Sequence, residues 1–159
     1  MKNKKIIKIV IGVMAVFIIF NIFWYIWRNV RYGSYDEGFN KNELWTFIVP
    51  RYYLIDEEGY DYTVKYPEYL SFTGNLTAGM PTTDNNPFTD FLVIWPKPFG
   101  GYEYGISLTV DGTNYQIMID EDGKSIDPQF DEITERCKET IDILLGKADK
   151  IWNLRQNIR

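Results

Sequence analysis

Tyr102-Glu103-Tyr104-Gly105-Ile106-Ser107-Leu108-Thr109-Val110-Asp111-Gly112-Thr113-Asn114-Tyr115-Gln116-Ile117-Met118-Ile119 reads as a β-hairpin from its alternation. Tyr102, Tyr104, Ile106, Leu108 and Val110 share one parity, with Glu103, Gly105, Ser107 and Thr109 between them, the period of two of a half-buried strand. Asp111-Gly112 is a preferred two-residue hairpin turn, because both residues tolerate positive φ. Folding there opposes Val110 to Thr113, Leu108 to Tyr115, Ile106 to Ile117 and Tyr104 to Ile119, so each apolar residue of the second strand meets one of the first. Asp122-Gly123 repeats the dipeptide and predicts a third antiparallel strand, with Ile119 opposite Ile126 and Glu121 opposite Lys124.

Upstream, Tyr60, Tyr62, Val64 and Tyr66 alternate with Asp61, Thr63 and Lys65, and Leu70, Phe72, Leu76 and Ala78 continue on even positions. A loop of residues 67–69 keeps the faces matched, with Tyr66 opposite Leu70 and Val64 opposite Phe72. Residues 91–95 (Phe-Leu-Val-Ile-Trp) are apolar throughout, as in an interior strand covered wholly or partly on both faces. Residues 44–55 are apolar but broken by Pro50, which predicts two short extended pieces or an edge strand with a bend. Residues 80–87 hold two prolines and Asp84-Asn85-Asn86, a polar loop.

Downstream, Asp127 is placed as an N-cap and Pro128 as the first residue of a helix. Phe130, Ile133, Cys137, Ile141, Leu144, Ala148 and Ile151 recur at three- and four-residue steps, one apolar stripe that predicts a continuous helix through Gly146 to about Asn157.

At the other end of the chain, residues 9–27 are apolar except for Asn21. As a helix they are about 28 Å long, close to the hydrocarbon core of a bilayer. Lys8 precedes the run; Trp24, Tyr25 and Trp27 form an aromatic belt at its far end, followed by Arg28. A cleaved signal peptide ends on small residues, whereas bulky aromatics occupy this exit, so an uncleaved signal anchor is expected. Four lysines precede the span and only Arg28, Arg31 and Lys41 follow it closely, which predicts a cytoplasmic N-terminus and a C-terminal domain outside the cell membrane. The expected organisation is a basic tail (1–8), the anchor (9–27), a juxtamembrane linker (28–43) and an extracytoplasmic domain (44–159). Its fold class is α+β: a transmembrane helix, then an antiparallel sheet of five or six strands, a meander in its C-terminal part, packed on one long C-terminal helix.

Composition bounds the chemistry. The 159 residues include no histidine and one cysteine, which excludes Ser-His-Asp and Cys-His nucleophilic sites, histidine-bearing zinc sites and an internal disulfide. No cofactor is implied. An exported domain without disulfides suits a bacterial envelope. The net charge of −5 divides into +6 over residues 1–32 and −11 over residues 33–159, and a domain at −11 does not track a nucleic-acid backbone.

Asp120-Glu121-Asp122, with Asp127, Asp131, Glu132 and Glu135 near in sequence, is the densest acidic group, but its spacing fails the calcium-loop pattern and a solvated hairpin tip accounts for it. Cys137 lies on the inward stripe with no histidine to activate it and reads as a buried thiol. Pairs such as Asp56 and Glu103 have the chemistry of a glycosidase but no motif around them. Residues 95–102 (Trp-Pro-Lys-Pro-Phe-Gly-Gly-Tyr) form the most unusual loop, and Trp95, Lys97, Phe99 and Tyr102 are its candidate binding residues. The expected partners are the lipid bilayer, through residues 9–27, and a second protein at the membrane surface. The expected function is a non-enzymatic anchored domain that binds another envelope protein or serves a membrane complex. A sensory or ligand-binding domain for a small molecule, peptide or cell-wall glycan is the alternative, and a carboxylate-dependent envelope hydrolase a weaker one.

Overall fold

A single helix, α1 (Lys2–Tyr32), carries the whole apolar run in the computed structural model, which describes residues 2–41, 49–81 and 90–155. It belongs to the first of two units into which the chain divides, Met1–Ser34 and Tyr35–Arg159. Its Lys4–Tyr32 portion is long and apolar enough to cross a membrane. The one strongly polar residue of the apolar run 9–27, Asn21, donates its Nδ2 to the Phe17 carbonyl at 2.7 Å, so the amide finds a partner within the helix itself. Lys8 and Tyr25 are exposed along the helix. The Arg28 guanidinium lies 4.7 Å from the Trp24 ring centroid and 5.5 Å from that of Tyr25, which sets cation and aromatic belt at one level. Trp27 stands on the turn between them.

The helix runs past residue 27 to Tyr32, and Gly33 N–H still bonds the Asn29 carbonyl at 2.9 Å. Residues 28–32, the start of the expected juxtamembrane linker, are thus helical. They continue the backbone ladder of the apolar helix, which needs no amphipathic stripe of their own. Tyr35 already belongs to the second unit, and Asn40–Lys41 forms its first strand.

The second unit is built on a seven-stranded antiparallel meander, in which β1 (Asn40–Lys41), β2 (Arg51–Ile55), β3 (Asp61–Lys65), β4 (Asn75–Gly79), β5 (Phe91–Pro96), β6 (Tyr102–Val110) and β7 (Thr113–Ile119) lie in chain order. The fold class expected from the sequence holds, with a seventh strand contributed by the two residues of β1. β2 starts directly after Pro50, whose carbonyl accepts from Tyr66 N–H at 3.0 Å. Residues 42–48 and 82–89, which include most of the expected first extended piece and of the polar loop, lie outside the described residues.

The β6–β7 hairpin has the expected register from Tyr104 opposite Ile119 to Val110 opposite Thr113. Asp111 (φ 52°) and Gly112 (φ 79°) both take the left-handed conformation that a two-residue turn requires. The β3–β4 pairing keeps the expected parity but is displaced by four residues: Val64 faces Leu76 and Tyr62 faces Ala78, while Leu70 and Phe72 stand exposed in the loop. Four is an even step, so faces are preserved, and alternation alone carries no signal against it. Pro67 and a turn closed by Ser71 N–H on the Glu68 carbonyl (2.8 Å) lengthen the connection.

Asp122-Gly123 does not repeat the two-residue turn. Asp120 N–H bonds the Lys124 carbonyl (2.9 Å), Gly123 N–H bonds the Asp120 carbonyl (3.1 Å), and of the two central residues only Gly123 has positive φ. This is a three-residue loop, a type I turn closed by a left-handed glycine, and it brings Ile119 opposite Ser125 instead of Ile126. The third strand shrinks to that one bridge and a bond from Ile126 N–H to the Met118 carbonyl, because the helix start at Asp127 follows at once.

Asp127 caps as expected, its Oδ1 accepting from Gln129 N–H, but residues 128–157 are not one helix. A 3-10 turn (Pro128–Phe130) leads into α2 (Asp131–Arg136), the chain breaks at Cys137, and α3 (Lys138–Trp152) follows. The buried Thr134 hydroxyl lies 3.2 Å from the Phe130 carbonyl and 3.1 Å from that of Asp131, a back-bond that bends helices just where this one breaks. Gly146 is helical without interruption. The helix stops at Asn153, which takes the left-handed cap conformation (φ 50°, ψ 45°); residues 156–159 lie outside the described residues.

Ile141, Leu144, Leu145, Ala148 and Trp152 of α3 are buried, as are Tyr62, Val64, Leu76, Ala78, Leu92, Ile94, Tyr104, Ile106, Leu108, Ile117 and Ile119, which share one face of the sheet. Trp152 joins them: its ring meets Tyr62 edge-on at 5.9 Å, stacks on Phe39 at 6.3 Å, and its Nε1 donates to the Tyr35 carbonyl at 3.0 Å. The substitution W152F keeps most of the ring and removes that donor. Urea unfolding of the full chain in detergent micelles is expected to show a loss of about 1–3 kcal/mol, the usual cost of breaking a buried hydrogen bond on one side. An unchanged midpoint would show that the bond carries no stability.

Candidate functional site

On the sheet's second face, opposite α3, apolar side chains are left half-buried or exposed among the described residues. Phe91, Val93 and Trp95 alternate with the buried Leu92, Ile94 and Pro96 along β5, so a strand apolar at every position presents one row to each side. Val93 faces Gly105 across the β5–β6 pair, and Gly105 in turn faces Met118 across β6–β7. Trp95 lies over that glycine. A Cβ at position 105 would stand 2.8 Å and 2.9 Å from two atoms of the indole, Cζ3 and Cη2, with Met118 Sδ at 3.5 Å. Glycine in the middle of a long strand is thus explained by the close approach of a ring to the backbone. Phe91, Val93 and Trp95 are half-buried and Met118 is exposed, around a shallow concavity of about 370 Å³ whose polar edge is Gln116 and Ser107. Ser107 is itself engaged, its Oγ accepting from Asn114 Nδ2 at 2.8 Å.

The four residues proposed from residues 95–102 are not brought together. Trp95 belongs to this outer face. Tyr102 pairs with the buried Pro96, and its hydroxyl lies 3.2 Å from that of Tyr35, with its ring 6.2 Å from Tyr104. Lys97 is exposed and paired with Glu103 at 3.4 Å. Phe99 stands fully exposed at the tip of a loop closed by Lys97 N–H to the Gly101 carbonyl (3.0 Å) and Gly100 N–H to the Lys97 carbonyl (3.2 Å). The residues that sequence reasoning missed are Phe91, Val93, Gly105 and Met118. Their signal was present: odd-position apolar residues in β5 and a glycine in mid-strand.

A second, polar cluster sits at the β2–β3 turn. Asp56 accepts from Glu58 and Tyr60 N–H (3.0 Å each), from the Tyr62 hydroxyl (2.9 Å) and from Lys147 Nζ (3.3 Å). Lys147 also reaches Glu58 at 2.8 Å and lies 4.2 Å from the Tyr60 ring centroid. Burial pushes the Asp56 carboxyl up, but these bonds from Tyr60, Tyr62 and Lys147 outweigh it and hold the group below the usual carboxylate range. Asp56 and Glu103, considered above as a carboxylate pair, lie at opposite ends of the sheet, since Asp56 follows the end of β2 where Ile55 faces Asp61, and Glu103 opens β6. Asp36, in the segment leading to β1, accepts from the Tyr66 hydroxyl at 2.9 Å, and burial raises its carboxyl despite that bond.

The acidic group around residue 120 is absorbed by local turns. Asp120 Oδ1 accepts from the N–H groups of Asp122 (3.0 Å) and Lys124 (2.8 Å), and Asp127 caps its helix and accepts from the Gln129 side chain. Among the described residues no three acids or thiols converge as a metal site. Cys137 is half-buried, and burial pushes its thiol up. No family model, curated protein or solved structure matches this chain.

Two substitutions test these arrangements. G105A drives a methyl into the Trp95 ring and is expected to cost about 1–3 kcal/mol by overpacking, together with a shift in tryptophan emission as the ring moves. For Asp56 the folded pKa is the lower one, so its contribution is present at neutral pH and fades as pH falls through the folded value. D56N should therefore cost about 1 kcal/mol at neutral pH through weakened hydrogen bonds, and the gap from the parent protein should close in acid. A gap independent of pH would show that charge plays no part.

Proposed function

We propose that this chain is a membrane-anchored, non-enzymatic domain that holds another protein at the membrane surface, and that the sheet face around Trp95 is its docking surface. The observation that carries the reading is the Trp95 ring laid on Gly105, flanked by Phe91, Val93 and Met118, on a face opposite the one α3 covers. An aromatic anchor amid aliphatic side chains with a polar rim is the composition of the energetic centre of an interface. The separation of Asp56 from Glu103, each held by its own lysine, supports the absence of a paired-carboxylate reaction. Residues 9–27 serve as an uncleaved signal anchor in a bacterial cell membrane. The lysines before the span favour a cytoplasmic N-terminus, with the acidic unit outside.

The ligand-binding reading draws on the same concavity, whose size of about 370 Å³ is near the lower limit of small-molecule sites. A photoreactive residue placed at Val93 in the full chain, expressed in cells, separates the two. The docking reading expects a discrete protein adduct that is absent with the same group at Asp111. No adduct at Val93, with a melting temperature raised by added peptide or cell-wall glycan, would replace docking by ligand binding. Protease added to spheroplasts is expected to remove the second unit; protection until lysis would overturn the orientation.

A further inference from the structure

The chain enters the second unit at one end of the sheet. Tyr35 and Asp36, its first residues, are bonded there: the Tyr35 hydroxyl lies 3.2 Å from that of Tyr102 at the start of β6, and Asp36 accepts from Tyr66, just after β3. In an antiparallel meander this end also carries the β3–β4 loop and the β5–β6 tip. Exposed apolar side chains gather on those two loops. Tyr69 and Leu70 are each 53% exposed, Phe72 is 40% exposed, and Phe99 is wholly exposed. Leu70 holds a positive φ of 64°, a conformation that glycine or asparagine adopts at less cost, so a bulky apolar side chain is presented to the outside at a strained turn position. At the opposite end the described turns are Asp56-Glu57-Glu58-Gly59 and Asp111-Gly112, with Ile55 the exposed apolar side chain beside them.

The inference rests on the reading that residues 9–27 cross a bilayer. The covalent path from Trp27, at the edge of the apolar run, to Tyr35 is short: five helical steps to Tyr32 and three further residues span at most about 18 Å. The headgroup zone itself occupies several ångströms of that distance. We infer that the β3–β4 loop and the β5–β6 tip form a second membrane contact, with Leu70, Phe72 and Phe99 inserted at the lipid interface and Tyr69 at headgroup level. Aromatic and aliphatic side chains on a loop tip are stabilised there by apolar burial, and tyrosine by its amphipathic ring. Lys65 is paired with Glu68, on which the exposed Arg51 also acts, and Lys97 is paired with Glu103. The acidic turn at Asp120-Glu121-Asp122, closed by Lys124, stands at the same end of β7, so the charges of this end offset one another. The contact is therefore apolar in origin and forms on a zwitterionic surface.

The test uses the full chain in phosphatidylcholine nanodiscs, in a C137A background, with single cysteines L70C, F99C, D111C and I18C carrying an environment-sensitive fluorophore. Nitroxide-bearing phosphatidylcholine is the quencher. Blue-shifted emission with lipid quenching at I18C, L70C and F99C, and neither at D111C, is the expected result. Quenching at I18C with L70C and F99C behaving like D111C would overturn the second contact and leave the anchor intact. Blue-shifted but unquenched labels at L70C and F99C would mean that a protein covers the loops, and would overturn it too. An unquenched I18C would remove the anchor, and the inference with it.

Discussion

The buried indole of Trp152 is the contact on which the second unit's arrangement depends. It stands at the last turn of α3, yet its Nε1 bonds the carbonyl of Tyr35, 117 residues earlier, and its ring packs against Tyr62 of β3 and Phe39 before β1. One side chain thereby joins the first residues of the unit, the inner face of its sheet and the end of its covering helix. Tyr62 extends the connection outward through its hydroxyl to Asp56, and Asp56 to Lys147 on α3, so the helix is held to the sheet by a polar contact as well as by its apolar stripe. Because Tyr35 is placed by this contact, the end of the sheet at which the chain enters is settled as well. Tyr102 and Tyr66 then meet Tyr35 and Asp36 there.

A meander of short connections makes both faces and both ends of the sheet distinct. Three of those connections use one device, a type I turn closed by a left-handed glycine, at residues 56–60, 97–101 and 120–124. In two of them an aspartate at the first position accepts from the second and fourth N–H groups that follow it. Gly123 has a further constraint: a Cβ there would meet Ile141 Cγ2 at 2.7 Å, so this turn is also a packing surface for α3. With α3 on one face, the Trp95 row lies on the other.

What was legible in the residues was the assignment of side chains to faces. The alternation around Asp111-Gly112 specifies the β6–β7 register completely, because a two-residue loop with both residues left-handed leaves no slack. The β3–β4 pair shows the opposite case. Even-numbered apolar residues continue from 70 to 78, so the inward face is readable, but a slip of four positions preserves it and only the folded loop selects Leu76 over Phe72 as the partner of Val64. The same ambiguity hid the break at Cys137, since Ile133, Cys137 and Ile141 keep four-residue spacing across it. Trp95 stands out in the sequence beside residues 97 to 102, whereas its surroundings in the fold come from positions 105 and 118 across the sheet.

By itself the sequence determined an apolar helix able to cross a membrane, an α+β domain of antiparallel strands, the inward side of the strands that alternate (β3, β4, β6 and β7) and the absence of histidine chemistry. These follow from periodicity and composition, which are local. Tertiary structure alone decided which loops share an end with Tyr35 and Asp36, that Leu70, Phe72 and Phe99 are left exposed there, and that Trp95 rests on Gly105 instead of joining Tyr102. Those outcomes depend on strand offset and on a contact made across 117 residues, and neither leaves a mark in the alternation of polar and apolar side chains.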